Sequence, residues 1–336
     1  MFHLQGPQVL QMLEKSLRKS LPESLKVYGT VFHMNQRNPF KLTALVDKWP
    51  DFTTVVIRPQ EEEMTDDFDY YTNTYQIYSK NPPNCQEFLG ASGVINWKQH
   101  LQIQSSQSSL NEVIQNLAAV KLVKVEQQQG IMYMLPERAS KLLPSLLEAK
   151  NLPLKSGRHK VIALITIQNQ LICEFIDVSV VGFLPCNDSN STRAEDTLHG
   201  GHHNQEMFQL SSLDVTHAPL VNKFWHFGGN ERSQMFIERC IRTFPTFCLL
   251  GPEGTPVSWS LMDQTGEIRM GGTVPEYRGK GLISYLMDVH IHALDKLDYP
   301  SYYHTALTNK IIQKMSHSLN HITLPCNWNQ WHCVPL

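Results

Sequence analysis

The sequence predicts an α+β protein with mixed, mostly antiparallel sheets flanked by helices. Helix-like periodicity and short β-rich runs alternate along its 336 residues, and clusters of turn-forming residues separate the runs. Towards the C-terminus, a hairpin pattern leads straight into a glycine-rich turn and a helix. The chain is longer than a typical single domain, so we expect two domains.

Composition and charge are those of an ordinary globular chain. Hydrophobic residues make up 41% and charged residues 18%, and the formal net charge is -2. This balance gives no sign of disorder and no broad positive field, so we expect no nucleic-acid partner. The seven cysteines form no C-x-x-C pair, and an odd number fits a disulfide framework poorly, which favours a reducing compartment.

The first 21 residues predict a helix rather than a secretory signal. Pro7 and Pro22 suit the start and end of a helix over residues 8–21, and no uninterrupted apolar core is present. Such an amphipathic, basic-leaning start is also compatible with a mitochondrial address. We favour the alternative in which four apolar residues form the buried stripe of a first helix: Val9, Leu10, Leu13 and Leu17.

Short strands and helices are predicted for the rest of the first half. The acidic residues between 61 and 69 lack the alternating ligands and turning glycine of a calcium loop, so we interpret them as an exposed loop or helix start. Four tyrosines recur at helical spacing and indicate a packed aromatic face: Tyr70, Tyr71, Tyr75 and Tyr78. The remaining predictions are strands over 27–33, 42–46 and 53–57, a helix over 110–120, a hairpin of 122–125 with 131–135 around Gly130, and a helix over 142–150.

Residues 152–205 change character twice, and we interpret them as a linker or insertion between two domains, 1–151 and 206–336. The apolar part of this segment is interrupted by polar and charged residues, so no membrane span is predicted. Its two formal glycosylation sequons have no meaning outside the secretory route. Its histidines are too scattered for a metal site, and we expect no metal ligands in the chain.

The second half contains the sharpest local signals. Residues 263–266 form a tight turn between two hairpin strands, 257–262 and 267–274, and Gly266 supplies the positive φ that the reversal needs. A helical pattern then begins at Leu282. The other elements predicted for this half are helices over 218–227 and 231–244 and a strand over 247–250.

A basic, glycine-rich turn joins the second hairpin strand to this helix. Unpaired N–H groups at a helix start face outward and the helix dipole adds partial positive charge, so the turn can bind an anion such as a pyrophosphate. Glycines let the backbone approach the phosphate oxygens, and basic side chains add charge-assisted contacts. A plain strand-to-helix connection is the alternative. The predicted cofactor-binding residues are Thr273, Val274, Arg278, Gly279, Lys280, Gly281 and Leu282.

This turn resembles the coenzyme A turn of the acetyltransferases related to the Gcn5 histone acetyltransferases. Ile283 departs from the pattern, because a small residue is usual at that position. Residues 309–319 resemble the last helix of the superfamily, with Asn309 as its cap. The resemblance implies two acetyltransferase-like (GNAT-type) domains. The residues that match the turn pattern are Val274, Pro275, Arg278 and Gly281.

Longer strings on both sides of the linker resemble one branch of this superfamily, the glycine N-acyltransferase family. The strings are too long and too widely spread for chance similarity. Residues 161–203 do not fit the family pattern and are interpreted as an insertion. The matching strings lie at 64–67, 71–75, 95–99, 230–233, 250–254 and 328–331.

The family resemblance implies an enzyme that transfers benzoyl, phenylacetyl or short and branched acyl groups from coenzyme A to the amine of glycine, with glutamine as an alternative acceptor. It implies no permanently bound cofactor, because acyl-coenzyme A is a co-substrate. It also implies a mitochondrial location, with the cytoplasm as the alternative. We expect a monomer whose partners are acyl-coenzyme A and glycine or another small amino acid.

The proposed general base of the family is a glutamate in the hairpin, which falls on Glu267. Strand alternation puts Glu267, Arg269, Gly271 and Thr273 on one face. An acceptor amine is mostly protonated at neutral pH and must lose a proton before it attacks a thioester, so Glu267 is the predicted catalytic residue. Direct attack requires no serine or cysteine nucleophile, and backbone N–H groups within 271–274 can hold the oxyanion.

Three alternatives stay open at this point. Glu267 and Arg269 could form an ion pair on an exposed hairpin edge, with no catalytic role. The chain could keep the coenzyme A fold as a non-catalytic interaction module. It could also acetylate a protein lysine or N-terminus, because the superfamily fold alone permits this.

Overall fold

Twelve strands form one continuous sheet in the computed structural model of the chain, which describes residues 1–144 and 208–336. The strands of these ranges follow the order β1-β2-β3-β4-β5-β12-β6-β11-β10-β9-β8-β7 across the sheet. Their bounds are β1 Phe2–Leu4, β2 Leu42–Val46, β3 Thr54–Pro59, β4 Thr74–Ser79, β5 Leu101–Ser105, β6 Val123–Met134, β7 Gln209–Ser211, β8 Phe247–Leu250, β9 Pro256–Met262, β10 Glu267–Thr273, β11 Tyr302–Ala306 and β12 Ile322–Pro335.

Helices cover both faces of this sheet, which makes the fold α+β as predicted. The two parallel neighbours are β4 with β5 and β10 with β11, and the other pairings are antiparallel. The helices are α1 Pro7–Arg18, α2 Leu25–Gln36, α3 Gln86–Gly90, α4 Asn111–Lys121, α5 Pro136–Leu142, α6 Ala218–Phe224, α7 Glu231–Thr243, α8 Leu282–Lys296 and α9 Lys310–Ser318.

The last strand of the chain lies within the part of the sheet that the first half builds. β12 pairs antiparallel with β5 on one side and with β6 on the other. On its far edge β6 pairs with β11, so the strands of the two halves are hydrogen-bonded into one sheet. The division into two domains at residues 151 and 206 stays a prediction, and the segment 161–203 lies outside the described residues.

The strand predicted over residues 27–33 is wrong, because these residues belong to helix α2. Nearly the whole helix is buried, including Lys26, Thr30 and His33, which are at most 4% exposed. A helix that is buried on every side shows no polar face, so its apolar run cannot be told from a buried strand by periodicity. The helix packs on α1, whose Leu13 and Leu17 are fully buried, as the buried-stripe interpretation predicted, whereas Val9 and Leu10 of the same stripe are only partly buried.

The hairpin predicted around Gly130 is also wrong. Residues 123–134 form the single strand β6, and Gly130 lies in its interior, paired with Ala306 on one side and Trp328 on the other. A side chain is excluded there because a Cβ atom would lie 2.8 Å from the carbonyl oxygen of Thr305. Glycine therefore marks a close backbone approach rather than a turn.

The tyrosines at apparent helical spacing lie in and before strand β4. Tyr75 and Tyr78 are buried on opposite faces of the sheet, and Tyr71 is buried in the loop before it, so the prediction of core packing is confirmed for these three. Their helical spacing was misleading because aromatic residues are also common in a strand that is buried on both faces of its sheet.

Elements with strong local signals form close to where they were predicted. The helices α1, α4 and α7, the strands β2, β3 and β8 and the hairpin of β9 and β10 match their predictions within a few residues. The helix predicted over 142–150 lies almost entirely outside the described residues. Within 1–144 and 208–336, no helix is long and apolar enough to cross a membrane.

Candidate active site

The hairpin turn between β9 and β10 is held by a buried carboxylate. Oδ1 of Asp263 accepts hydrogen bonds from the backbone N–H and the hydroxyl of Thr265, at 2.8 and 2.6 Å. Its Oδ2 pairs with Nη1 of Arg269 at 3.0 Å, and both side chains are at most 5% exposed. Gly266 has φ 77°, as the sequence predicted. The turn is therefore a rigid frame for the strand that starts at Glu267.

Glu267 is the centre of a fully buried polar cluster. Its carboxylate has no solvent exposure and accepts hydrogen bonds from Nζ of Lys26, Nδ1 of His304 and, at 3.1 Å, Nε1 of Trp328. Burial alone would raise the pKa of Glu267, but the charge of Lys26 and the hydrogen bond from His304 outweigh it and hold this pKa well below its usual range. The carboxyl group is therefore ionised at neutral pH.

This geometry removes one of the alternatives. Arg269 forms its ion pair with Asp263, and Glu267 is buried rather than lying on an exposed hairpin edge. Burying a carboxylate costs several kcal/mol unless donors compensate it. A buried charged carboxylate beside other titratable groups, here Lys26 and His304, is typical of functional sites.

Four separate elements supply the cluster. Lys26 comes from α2, Glu267 from β10, His304 from β11 and Trp328 from β12. The His304 ring stacks on the Trp328 ring with centroids 3.9 Å apart and an interplanar angle of 7°. A Cβ atom at Gly130 of β6 would lie 2.9 Å from Cδ2 of His304, so the glycine makes room for this ring.

Strands β10 and β11 separate directly beyond this cluster. They pair only at Glu267 with Tyr302 and at Ile268 with Tyr303. On the other side, the register with β9 shifts after Arg269 and resumes at Gly272, with Met270 at φ 56°. Met270 and Gly271 consequently have no register partner on either neighbouring strand. This bulge also breaks the strict alternation predicted along β10.

The predicted anion site lies at the far end of β10. Gly279 and Gly281 have φ 80° and 76°, which non-glycine residues rarely adopt, and each would direct a Cβ atom into open space. Gly281 caps the 15-residue helix α8, whose first turn carries no acidic residue. Nε of Arg278 donates to the carbonyl oxygen of Thr273 at 3.1 Å, which ties the turn to the strand.

These features fit a pyrophosphate group. The exposed turn offers two glycines, a helix N-terminus and two basic side chains, which are the donor types that bind phosphate oxygens. Ile283, which departs from the superfamily pattern, lies against the bulge of β10, since a Cβ atom at Gly271 would be 3.5 Å from its Cδ1. An isoleucine at this position therefore packs beside the separated strands.

Aromatic rings lie around Arg269, two residues along β10 from Glu267. The guanidinium of Arg269 lies 5.6 Å from the ring centroid of Trp225, 5.9 Å from that of Phe227 and 5.7 Å from that of Trp328. Tyr71 donates a hydrogen bond to the carbonyl oxygen of Phe227. We call Trp225, Phe227 and Trp328 the aromatic cluster. Trp225 and Phe227 are partly exposed, whereas Trp328 is buried against Glu267 and His304.

Three of the six strings that resemble the family contact one another in the structure: 64–67, 71–75 and 230–233. Asp66 and Arg232 form an ion pair with Oδ2 and Nε 2.7 Å apart. Nδ2 of Asn230 donates to the Tyr71 hydroxyl at 3.2 Å, and the Asn230 side chain also accepts from the Ser233 N–H to start α7. These contacts therefore join the first half of the chain to the second.

Sequence reasoning missed three members of the cluster. Lys26 is hidden in an apolar run, and a lone histidine such as His304 carries no pattern of its own. Trp328 lies inside the string 328–331, which resembles the family, but no nearby residue links it to Glu267. Only the strand order brings these residues together.

A strand that ends in a basic glycine turn and a helix, beside a parallel neighbour that separates from it, defines the acyltransferase fold of the Gcn5-related class. Within this class, the chain belongs to the family described as aralkyl acyl-CoA:amino acid N-acyltransferase. The N-terminal profile of that family matches residues 1–185 and 184–245, and its C-terminal profile matches residues 247–335. The chain is therefore an enzyme that transfers acyl groups from coenzyme A to amino acids.

Relatives in mammals match along the whole chain. Glycine N-phenylacetyltransferase from Bos taurus is 68% identical and glycine N-acyltransferase from Homo sapiens is 60% identical, each over 336 residues and 100% of both chains. Among solved structures, that of a Drosophila protein covers 98% of this chain and 97% of its own, with a TM-score of 0.63 and 12% identity. The structural likeness supports the fold alone. The family match answers the alternative of a non-catalytic module.

Proposed function

We propose that the chain conjugates aralkyl acyl groups, phenylacetyl and benzoyl among them, to glycine. The observation that carries this proposal is the buried cluster at Glu267, which lies where β10 leaves β11 and on the same strand that leads to the glycine turn. A thioester that spans from the turn towards this cluster would bring its carbonyl group beside the acceptor amine. The names of the mammalian relatives, which specify phenylacetyl and glycine, support the same substrates.

The aromatic cluster supports an aralkyl donor. Trp225 and Phe227 contact each other edge to face with centroids 5.8 Å apart, and Phe227 lies 6.2 Å from Trp328. Aromatic groups gain from offset or edge contacts with such rings in addition to the burial of apolar area. A phenyl group should therefore bind better beside these rings than a two-carbon acyl group.

The residues proposed for coenzyme A are those of the turn and its flanks: Thr273, Val274, Arg278, Gly279, Lys280, Gly281 and Leu282. Bound coenzyme A supplies the activated thioester. Arg278 and Lys280 would offset its phosphate charge, while Gly279 and Gly281 would let backbone N–H groups approach it.

Direct attack of the amine is the mechanism that the site supports. Burial raises the pKa of the Cys248 and Cys326 thiols to about 12, so neither is ionised enough at neutral pH to act as a nucleophile. Glu267 supplies the negative charge that favours removal of the amine proton. Of the oxyanion donors predicted within 271–274, the Val274 N–H is already used, because it donates to the carbonyl oxygen of Val257 at 2.9 Å. The N–H groups of Met270 and Gly271, which have no register partner on β9 or β11, would stabilise the oxyanion instead.

The acceptor and the donor are tested together by measuring thiol release over a grid of substrates. Phenylacetyl-, benzoyl- and acetyl-coenzyme A are each combined with glycine, glutamine and a lysine-containing peptide. We expect the highest kcat/KM for an aralkyl donor with glycine. A higher value for the peptide or for acetyl-coenzyme A would contradict the proposal, and a higher value for glutamine would replace the acceptor.

We also propose a monomer located in mitochondria, with the cytoplasm as the alternative. The location rests on the family resemblance alone. Fractionation of cells that express the full chain checks the location, and sedimentation of the purified chain checks the monomer.

A further inference from the structure

We infer that His304 is the catalytic base that contacts the acceptor amine, and that Glu267 acts behind it as a positioning residue. The inference deepens the proposed function and rests on it. Its starting observation is a difference in access: the Glu267 side chain has no solvent exposure, whereas the His304 side chain is 16% exposed.

Both oxygens of Glu267 are already occupied. Oε2 accepts from Lys26 and from Trp328, and Oε1 accepts from Nδ1 of His304. The carboxylate is also fully buried, so an amine could reach it only if the side chains around it moved. His304 needs no such rearrangement, because one side of its ring already faces the carboxylate while the side chain keeps access to solvent.

The carboxylate also fixes the tautomer of His304. An ionised carboxylate can only accept hydrogen bonds, so Nδ1 of His304 must carry the proton. In a neutral ring, Nε2 then has a free lone pair and can take a proton. Burial lowers the pKa of His304 despite the opposing charge of Glu267, and Arg269 and Lys26 add to the lowering, so the ring is neutral before reaction.

The ring is held in one orientation. The nearly parallel stack on Trp328 fixes its plane, and Gly130 closes against its Cδ2 edge. The groups that face the ring are Glu267 and Arg269 from β10, Lys26 from α2 and Trp328 from β12. Glu267 is the one carboxylate among them, and it lies on the Nδ1 side.

His304 also lies at the right point of the sheet. It follows Tyr303, the last residue of β11 that pairs with β10, so it is the first residue beyond the point where the strands separate. By the same register His304 lies level with Arg269 of β10, and Met270 and Gly271, which have no register partner, follow directly. A carbonyl group bound between the strands would therefore lie between the oxyanion donors and the imidazole.

The proposed step balances. The amine nitrogen forms a bond to the thioester carbon, the carbonyl electron pair moves to oxygen, and one N–H proton passes to Nε2 of His304. When the oxyanion collapses, the C–S bond breaks and the thiolate of coenzyme A leaves with its electron pair. The imidazolium returns the proton to that sulfur, which gives the amide and free coenzyme A. The Glu267 carboxylate stabilises the imidazolium while it exists.

His304→Asn tests the inference, because the asparagine amide can still donate to Glu267 but has no basic nitrogen. With phenylacetyl-coenzyme A and glycine, we expect kcat to fall about a hundred-fold or more, with the affinity for coenzyme A unchanged by calorimetry. His321→Asn is the matched control, since His321 is also buried and bonded through Nδ1, but to the Tyr303 hydroxyl. The control should keep its kcat.

Two further measurements distinguish a His304 that acts as the base from a His304 that only maintains the structure. Added imidazole should restore part of the activity of His304→Ala, and the wild-type pH profile of kcat should lose its lower limb in His304→Asn. Hydroxylamine, an acceptor that needs less help from a base, should show a smaller defect than glycine. Full activity of His304→Asn, or a defect that neither imidazole nor hydroxylamine reduces, would overturn the inference.

Failure of the inference is distinguishable from failure of the proposed function. An active wild type beside an equally active His304→Asn overturns the inference alone. A wild type that binds acyl-coenzyme A and releases no thiol overturns both.

Discussion

Lys26 and Glu267 form an ion pair across 241 positions of sequence, and neither side chain is more than 1% exposed. The lysine belongs to a helix of the first half and the glutamate to the strand that leads to the coenzyme A turn. The pair is therefore both a bond between the two halves and the element that keeps the carboxylate charged. The two consequences can be separated by mutation.

Lys26→Met should destabilise the protein strongly, because it leaves a buried carboxylate without its cation. Removing one partner of a buried pair costs about 3–5 kcal/mol of the free energy of unfolding, whereas an exposed pair is worth about 0–1 kcal/mol. Lys41→Met is the control, since the Lys41 side chain in its pair with Glu63 is 60% exposed. Urea denaturation measures both changes. A loss no larger than that of the control would contradict this account of the pair.

The double variant Lys26→Met with Glu267→Gln should recover much of the stability lost in Lys26→Met, because it removes the unpaired charge. Its activity should not recover. A thermodynamic cycle over the four proteins measures the coupling between the two residues.

Glu267→Gln keeps the shape of the side chain and removes its charge. We expect kcat to fall about a hundred-fold or more, with the affinity for coenzyme A nearly unchanged. Raising the pH should restore part of the activity, since more of the acceptor amine is then unprotonated. Steady-state kinetics from pH 6 to 9 test this, and full activity at neutral pH would show that the carboxylate has no part in the reaction.

Gly281→Ala should weaken coenzyme A binding, because its methyl group would enter the space where the phosphates approach. Gly254→Ala is a matched control: Gly254 has φ 73° and is also open, but it lies in the turn between β8 and β9. A left-handed alanine costs about 1–2 kcal/mol at either position. Only Gly281→Ala should raise the KM for the donor.

Coenzyme A should also protect residues 278–282 from hydrogen exchange, because these backbone groups are the proposed pyrophosphate ligands. Equal exchange with and without coenzyme A, or an equal rise in KM in the Gly254→Ala control, would remove the assignment of the turn.

Stability should fall as the pH drops below about 6.5, because several histidines are buried in the neutral form. Burial lowers the pKa of His33 to about 4, so between this pH and about 6.5 the residue is protonated in the unfolded state and neutral in the folded state. More protons on the unfolded state mean that stability rises with pH, between about 4 and 6.5 for this residue. From pH 7 to 5, His33 alone should account for a loss of about 2 kcal/mol.

His33→Phe should flatten this pH dependence, because it removes the titrating group from an apolar position between aromatic rings. His317→Phe, on the exposed face of α9, should keep the wild-type slope. Urea denaturation at pH 7 and 5 compares the three proteins, and an unchanged slope in His33→Phe would assign the effect to other groups.

Local signals predicted the second half of the fold well. The tight turn at Gly266, the cap at Asn309 and the glycine turn at 279–281 are set by nearest neighbours, so they can be read from a short stretch of sequence. Residues 27–33 were predicted wrongly for the opposite reason. Tertiary packing buries nearly all of α2, and burial removes the pattern by which a helix is recognised.

The candidate site was predictable only in part. Glu267 came from the family resemblance, but its enclosure by Lys26, His304 and Trp328 depends on the order of strands that are far apart in sequence. Gly130 is instructive because a turn and a close backbone approach both select glycine. The sequence could not distinguish them without knowing that β11 and β12 flank β6.

The position of β12 has a consequence for how the chain is made. Residues 322–335 fill the gap between β5 and β6 and carry Trp328 into the cluster around Glu267. A nascent chain that lacks them leaves two strand edges unpaired in the middle of its sheet. We therefore expect the sheet of the first half to be completed only after the end of synthesis, and a premature stop before residue 322 to give an aggregating product rather than a shortened enzyme.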